Sequence, residues 1–140
     1  MPNLYCLETL DSVKLAKKLE KSCDAKDREL NVMIQVSTSD ETTKNGADAK
    51  ETQEIAEYVL KECKRLKFMG LMTIGQAGDS GAFEKLRSTK QSIVDKFGLD
   101  HNEVELSMGM TGDFEEAVLE GSTNVRIGSM IFGARAPRTD

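Results

Sequence analysis

Residues 106–133 read LSMGMTGDFEEAVLEGSTNVRIGSMIFG, and the order of apolar and small residues in this stretch indicates a class of fold. An apolar run of strand length is followed by a loop of small residues, a short amphipathic segment and a second apolar run. Strands that alternate with helical segments are typical of βα units, in which a crossover helix joins two parallel strands. We therefore expect strands at Val104–Met108 and Asn124–Ile127, joined by a helix over about Gly112–Glu120.

Capping residues support this short helix. Thr111 is a candidate N-cap because its hydroxyl can accept a hydrogen bond from an N–H group of the first turn. Asp113 and Glu115 complement the positive end of the helix dipole. Gly121 is a residue at which a helix readily ends. The expected helix therefore begins just after Thr111.

The same alternation continues toward the N-terminus and adds three strands and three longer helices. Apolar residues repeat at helical spacing in each longer segment, as Ile55, Ala56 and Val59 do, and Asp11 is the candidate N-cap of the first helix. The expected strands are Leu4–Glu8, Val32–Val36 and Phe68–Ile74, and the expected helices are about Ser12–Lys21, Asp48–Cys63 and Ala82–Phe97. The predicted order is β-α-β-α-β-α-β-α-β, a single domain over residues 1–140.

Two architectures fit this order of elements. One is a segment of a (β/α) barrel, and the other is a small, doubly wound open sheet. A complete barrel needs roughly 250 residues, and this chain has 140. The pattern of strands and helices alone leaves both architectures open.

Composition argues against several classes of function. The 24 acidic residues outnumber the 19 basic ones and no basic stripe occurs, so nucleic acid is not an expected partner. No apolar run reaches the length of a membrane span, so we expect no membrane partner either. Three cysteines without close pairing are typical of free thiols in a reducing cytoplasm. The single histidine, His101, lies in an expected loop, where a histidine is more often solvated than catalytic, and no paired cysteines accompany it, so we expect no metal site and no catalytic residue.

Small residues at two neighbouring strand ends are the first candidate for a binding site. Backbone N–H groups can approach a ligand closely there, and barrels commonly bind phosphate in the loops after their last two strands. Gly128 and Ser129 would offer backbone donors, and Ser107 and Ser129 would add hydroxyl groups. The same glycines also suit tight turns without any ligand, and the residues alone do not separate these two interpretations.

Arg126 is the second candidate. It lies between Val125 and Ile127, so in a strand it faces the side of the sheet opposite these apolar neighbours. A buried guanidinium group keeps its proton and must find an acceptor. That acceptor is either a carboxylate, such as Glu8 or Glu105, or an atom of a ligand, such as an aromatic ring nitrogen.

The motif S-M-G-M-T-x-D-F-E-x-A-x-x-x-G-S-T-x-V-R-I-G-S-x-I-F-G at residues 107–133 resembles that of the pyridoxal 5′-phosphate (PLP) homeostasis protein family, the YggS-like or proline synthetase co-transcribed group. Three further segments are similar to that family: residues 8–12 resemble its E-T-V-D-S, residues 35–46 its Q-V-N-x-S-G-E-x-S-K-x-G, and residues 70–75 match its G-L-M-T-I-G. The resemblance covers essentially the whole chain.

This resemblance implies a fold and a cofactor. The fold would be part of an alanine racemase N-terminal-domain type (β/α) barrel, with about five βα units and parallel strands. Ser107, Gly128 and Ser129 would hold the phosphate of PLP, and Arg126 would approach its pyridine nitrogen. A permanently charged donor there keeps the nitrogen unprotonated, which makes the ring a weaker electron sink. That suits a non-catalytic protein of intracellular PLP homeostasis.

The chain also departs from the family pattern. The family's Schiff-base lysine lies on the first barrel strand, whereas this chain begins at what resembles the fourth, so we expect a truncated protein that binds PLP weakly and without a covalent bond. Lys44 keeps its loop position, but a solvated lysine of ordinary pKa is a poor nucleophile. Ser37 and Asp40 replace the usual Asn and Gly.

Two alternatives to the homeostasis protein stay open. The chain could be a fragment of a fold-type III PLP enzyme, such as a racemase or decarboxylase, or an interaction fragment that binds no ligand. In each case five barrel strands would leave two unpaired edges and an uncovered face, so we expect self-association through the open edges of the barrel.

Overall fold

A computed structural model describes residues 2–38, 46–75 and 81–134 of the chain, so the predictions on Lys44 and Asp40 lie outside the described residues. Strands and helices alternate as predicted, and a 3₁₀ turn at His101–Glu103 precedes the fourth strand. The strands are β1 (Cys6–Leu10), β2 (Leu30–Gln35), β3 (Leu66–Met72), β4 (Glu105–Met110) and β5 (Asn124–Arg126), and the helices are α1 (Val13–Asp24), α2 (Ala49–Glu62), α3 (Gly81–Phe97), α4 (Phe114–Leu119) and α5 (Ser129–Phe132).

The five strands form one parallel sheet in the sequential order β1-β2-β3-β4-β5. A doubly wound sheet would reverse its strand order at a switch point, and this sheet has none. Right-handed crossovers between sequential strands place every crossover helix on the same face. The predicted partial (β/α) barrel is therefore confirmed, with its helices outside and a concave face inside.

The hydrophobic core lies between the outer face of the sheet and the helices. Along β4, Leu106 and Met108 are buried in this core, whereas Ser107 points to the concave face. Each fully buried leucine or isoleucine side chain contributes about 1.5–3 kcal/mol relative to an exposed one. One contiguous cluster joins helices and strands, as a single domain requires, although the single-domain organisation itself stays a prediction.

Two of the predicted N-caps are wrong. Ser12, not Asp11, caps α1, and its extended backbone (φ −157°) lets Oγ accept from the N–H of Leu15 at 3.3 Å. Asp113, not Thr111, lies at the N-cap of α4, and its Oδ1 accepts from the N–H of Met110 at 2.7 Å. In both cases neighbouring residues have cap-forming side chains, so the choice depends on the backbone angles and not on residue type.

Glu20 connects α1 to the beginning of β3. Its carboxylate accepts hydrogen bonds from the backbone N–H groups of Lys64, Arg65 and Leu66, with N···O distances of 2.7–3.1 Å. The thiol of Cys63 is nearby, and burial, reinforced by the Glu20 carboxylate, raises its pKa to about 11. Cys6, Cys23 and Cys63 are all free thiols.

A close approach of helix and strand occurs at Gly109. This residue has φ +94°, in the region that favours glycine, and a Cβ added to it would lie 2.5 Å from Cβ of Ala117 on α4. Gly109 therefore lets α4 pack directly on β4, immediately beside the carboxyl end of that strand. None of the helices in the described parts of the chain has the length and apolar character that a membrane crossing needs.

Candidate functional site

Three of the four predicted site residues lie around one groove at the carboxyl ends of β4 and β5. Arg126, Gly128 and Ser129 line this groove, which has a volume of about 630 Å³. Ser107 does not line it but hydrogen-bonds to Arg126. The other lining residues are Met110, Thr111, Gly112, Phe132, Gly133 and Ala134.

Arg126 faces the concave side of the sheet, as predicted. Its Nη1 donates to Ser107 Oγ at 2.7 Å and to the Ser107 carbonyl at 3.3 Å, and its Nη2 donates to the Thr73 carbonyl at 2.7 Å. The guanidinium group thus binds the middle of β4, at Ser107, and Thr73, the residue that directly follows β3. Burial lowers the pKa of Arg126, while the nearby carboxylates of Glu8 and Asp113 act in the opposite direction. An arginine so placed stays cationic at neutral pH.

Of the two carboxylates that the sequence offered as ion-pair partners of Arg126, one lies close to it. Glu8 Oε2 lies 3.9 Å from Arg126 Nη1, and both side chains are mostly buried, with exposed fractions of 27% and 29%. Glu105, the other candidate carboxylate, forms no ion pair with Arg126 in the described part of the chain. The Glu8 contact leaves part of the guanidinium group available to a further acceptor.

Ser107 does not line the groove but contacts Arg126, which does. It is fully buried, and its hydroxyl donates to Glu8 Oε2 at 2.7 Å while accepting from Arg126. A serine hydroxyl has a single proton, so it cannot donate to a phosphate while the bond to Glu8 lasts. A direct phosphate contact from Ser107 therefore stays a prediction that would require this hydrogen bond to rearrange.

Gly128 and Ser129 lie where β5 leads into α5. The N–H of Gly128 donates to Thr111 Oγ1 at 3.2 Å, whereas the described residues supply no acceptor for the N–H groups of Ser129 and Met130. The first N–H groups of a helix have no partner within the helix, so they are available to an acceptor from outside. The Ser129 side chain is exposed at the same place.

Sequence reasoning missed the parts played by Thr111, Thr73 and Asn124. The sequence predicts Thr111 as a helix cap, but its hydroxyl instead accepts a hydrogen bond from the N–H of Gly128 across the groove. Thr73 acts through its carbonyl group, which carries no signal in the sequence. Asn124 donates to Glu8 Oε1 at 2.8 Å, and only its place in the site motif could have drawn attention to it.

The donor set of the groove suits an anionic ligand. The guanidinium group of Arg126 and the hydroxyl and N–H groups of Ser129 lie around one opening, and among the described residues nothing accepts from the two Ser129 groups. Among residues 2–38, 46–75 and 81–134, no group of His, Cys, Asp and Glu side chains could hold a metal ion. His101 is exposed in its 3₁₀ turn, away from the groove.

Comparison with known proteins gives a family and close relatives. The family model for the alanine racemase N-terminal domain matches residues 3–136. A curated relative from Homo sapiens, named pyridoxal phosphate homeostasis protein, is 46% identical over 143 residues, which cover 96% of this chain and 52% of the relative. The chain thus spans about half the length of the curated relatives that it matches.

Two solved structures show the same architecture. A structure described as an unknown protein from Bifidobacterium adolescentis has a TM-score of 0.84 and 36% identity, with 94% of this chain and 54% of that one covered. PipY of Synechococcus elongatus, with PLP bound, has a TM-score of 0.76 and 26% identity, with 91% and 60% covered. The resemblance that the sequence motifs indicated is therefore confirmed.

Proposed function

This chain belongs to the alanine racemase N-terminal domain family, and on that premise we propose that it binds PLP without a covalent bond and serves intracellular PLP homeostasis without catalysis. The observation that carries the proposal is the placement of Arg126, Gly128 and Ser129 around one groove. The names of the curated relatives and the PLP bound to PipY support the choice of ligand.

Each residue of the groove has a proposed role. The hydroxyl and N–H of Ser129, with the N–H of Met130, donate to the phosphate, since the described residues leave these groups without acceptors. Gly128 keeps the backbone open at this point, and a Cβ there would meet nothing within 4 Å. Arg126 donates toward the pyridine nitrogen. When bound, PLP supplies an aldehyde and an electron-withdrawing ring.

Binding is weak in this proposal because few contacts hold the ligand. Each hydrogen bond to a charged group contributes about 1.5–3 kcal/mol, and the groove has no opposite wall among the described residues to bury the ring. Among the described residues that line the groove, Arg126 alone has an ionisable side chain. That supports a carrier over an enzyme, and the free thiols support a reducing, cytoplasmic setting.

A titration with PLP tests this proposal. We expect saturable binding by absorbance and fluorescence, and at least about 10-fold weaker binding for Ser129→Ala, the loss of one hydrogen bond to a charged group. Ser92→Ala, a change of the same kind on the exposed surface of α3, is the matched control and should bind as the unchanged chain does. Absence of binding at millimolar PLP, or equal affinity in all three proteins, would overturn the proposal.

The non-covalent and non-catalytic parts need separate measurements. Borohydride reduction in the presence of PLP, followed by mass spectrometry, should give no stoichiometric phosphopyridoxyl adduct on any lysine. Incubation with PLP and amino acids should give no racemisation or decarboxylation. An adduct on one lysine, with Lys44 the first to inspect, would contradict the non-covalent mode, and turnover would indicate a fragment of a PLP enzyme instead.

A further inference from the structure

Glu8 hydrogen-bonds on the concave face to two residues that are 99 and 116 positions away in the sequence. It lies on β1, at one edge of the sheet, yet its carboxylate accepts from Ser107 Oγ on β4 at 2.7 Å and from Asn124 Nδ2 on β5 at 2.8 Å. The sheet is therefore curved enough for side chains of its two edge strands to meet. Both oxygens of the Glu8 carboxylate are engaged by these contacts.

These contacts fix the direction of a hydrogen-bond chain. An ionised carboxylate only accepts, so the proton of the Ser107 hydroxyl must point toward Glu8. The lone pairs of Ser107 Oγ then face away from Glu8, and Arg126 Nη1 donates to that oxygen at 2.7 Å. The orientation of Ser107, and with it the position of the guanidinium group, thus depends on the charge of Glu8.

We propose that Glu8 is a positioning residue for Arg126, acting through Ser107 and itself held by Asn124. The identity of the ligand that Arg126 would contact rests on the proposed function. The hydrogen bonds that link Glu8, Ser107 and Arg126 do not depend on a ligand. Hydrogen bonds to Ser107 and Thr73 occupy Nη1 and one proton of Nη2. Among the described residues, no acceptor engages Nε–H or the second Nη2 proton, and the direction of both is set through Ser107, which Glu8 holds.

Glu8 also supplies counter-charge to Arg126, with Asp113 as the other nearby carboxylate. Its Oε2 is 3.9 Å from Arg126 Nη1, and both side chains are more than two-thirds removed from solvent. Without Glu8, the guanidinium group would keep only Asp113 as a nearby carboxylate, beside a neutral hydroxyl and two carbonyl groups, and the free energy of keeping it there would rise. We therefore expect Arg126 to reorient toward solvent when Glu8 is replaced by alanine.

A measurement without ligand tests this inference directly. In the unchanged chain, the Arg126 guanidinium protons should give resolved, slowly exchanging NMR signals because hydrogen bonds restrict their rotation, and Arg126→Lys assigns these signals by removing them. Glu8→Ala should abolish them, and Glu8→Gln, which keeps one acceptor oxygen, should retain part of the signal. Glu105→Ala, which removes another carboxylate of the concave face, is the matched control and should leave them unchanged.

A pair of ligands then reports on the ring position. PLP and benzyl phosphate both carry a phosphate ester, but only PLP has a ring nitrogen. Glu8→Ala should weaken PLP about 10-fold, the loss of one hydrogen bond to a charged group. Benzyl phosphate should change less than about 2-fold by the same scale, since it has no ring nitrogen for Arg126 to reach. Equal weakening of both ligands would overturn the positioning role.

The two measurements separate the inference from the proposed function. If the unchanged chain binds neither PLP nor benzyl phosphate, the proposed function fails, and the NMR signals still decide the role of Glu8. If the Arg126 signals persist in a folded Glu8→Ala chain, the positioning role is refuted, whatever the chain binds. Circular dichroism verifies the fold of each variant. If Glu8→Ala does not fold, weaker Arg126 signals in Glu8→Gln than in the unchanged chain support the positioning role, and undiminished signals refute it.

Discussion

Gly109 determines how closely α4 can lie on β4 next to the proposed site. A side chain at this position meets two obstacles, a backbone with φ +94° and the Cβ of Ala117 only 2.5 Å from the added carbon. The Cα of Phe114 is also close, at 3.2 Å. Since the groove lies just beyond the end of β4, its shape depends on the lack of a side chain at Gly109.

We expect Gly109→Ala to lower the free energy of unfolding by about 2–5 kcal/mol, from backbone strain of about 1–2 and overpacking of about 1–3 kcal/mol. Gly98→Ala is the matched control, because Gly98 also has positive φ (+63°) but has no atom within 4 Å of an added Cβ. It should lose only the strain, about 1 kcal/mol. Urea denaturation measures both variants, and equal losses would mean that α4 shifts freely away from β4.

The sequence could indicate which residues lie together where a motif is continuous, although their binding of a ligand stays a prediction. Arg126, Gly128 and Ser129 are near neighbours along the chain, so a strand followed by a turn brings them to one place. The contact between Ser107 and Glu8, 99 positions apart, depends on the curvature of the sheet. No local pattern encodes that curvature, which is why Glu8 entered the sequence analysis only as one of two possible ion-pair partners.

At the scale of elements, α1 and β3 are joined by one carboxylate. Glu20 accepts from three successive N–H groups, those of Lys64, Arg65 and Leu66, where the chain enters β3. The N–H groups of Lys64 and Arg65 precede the strand and have no partner in the sheet. The Glu20 carboxylate therefore accepts from backbone donors that strand pairing does not satisfy.

We expect Glu20→Ala to lower the free energy of unfolding by about 2–3 kcal/mol, because it removes charge-assisted hydrogen bonds and leaves their donors unpaired. Glu20→Gln should lose less, since an amide oxygen still accepts. Glu54→Ala, which removes an exposed partner of Lys50 at 3.8 Å, should change stability by less than about 0.5 kcal/mol. Denaturant titration measures all three, and a neutral Glu20→Ala would contradict this account.

Removing the charge of Glu20 should also change the chemistry of Cys63. Burial is the main cause of its raised pKa of about 11 and would persist, but the contribution of Glu20 would be lost. The pKa of the Cys63 thiol should therefore fall part of the way toward its ordinary value of 9.0. Since the thiolate is the nucleophile, alkylation of Cys63 near pH 9 should become faster in Glu20→Gln.

Element order was predictable because apolar runs and helical stripes recur along the whole chain. The residues at which elements begin and end were less predictable. Leu4 and Tyr5 are apolar but precede β1, which begins at Cys6. The four residues of α5 are too few to show a helical period, and this helix was not predicted. The bounds of an element depend on where strand pairing begins, and this is a property of two segments at once.

At the scale of the whole molecule, the sheet leaves apolar surface uncovered near its β5 edge. Leu119 on α4 is 89% exposed, and Ile131 and Phe132 on α5 are 67% and 85% exposed. In the described sheet, β1 and β5 each have one strand neighbour, so each has a free edge. Free edges and exposed apolar side chains both favour association between copies of the chain.

We therefore expect the chain to self-associate, with a mass by light scattering that rises above 15.4 kDa as concentration increases. The double change Leu119→Ser with Ile131→Ser should shift the mass back toward the monomer by removing apolar surface. Leu60→Ser, at a less exposed leucine on α2 (36%), is the matched control and should associate as the unchanged chain does. A constant monomer mass at high concentration would rule out this expectation.

The hydrogen bond between Glu8 and Asn124 joins residues that are 116 positions apart in the sequence. Neighbouring strands of the sheet, in contrast, are joined along the chain by one crossover each. Contacts between distant positions carry the largest loop-closure entropy, so they form only after local units have reduced that cost. The polar chain that holds Arg126 should thus be assembled late in folding, and local opening should break it before the core between β2 and β3 is exposed. The region that we propose to hold PLP is therefore expected to have the lowest protection against hydrogen exchange in the sheet, and a ligand bound there would raise that protection selectively.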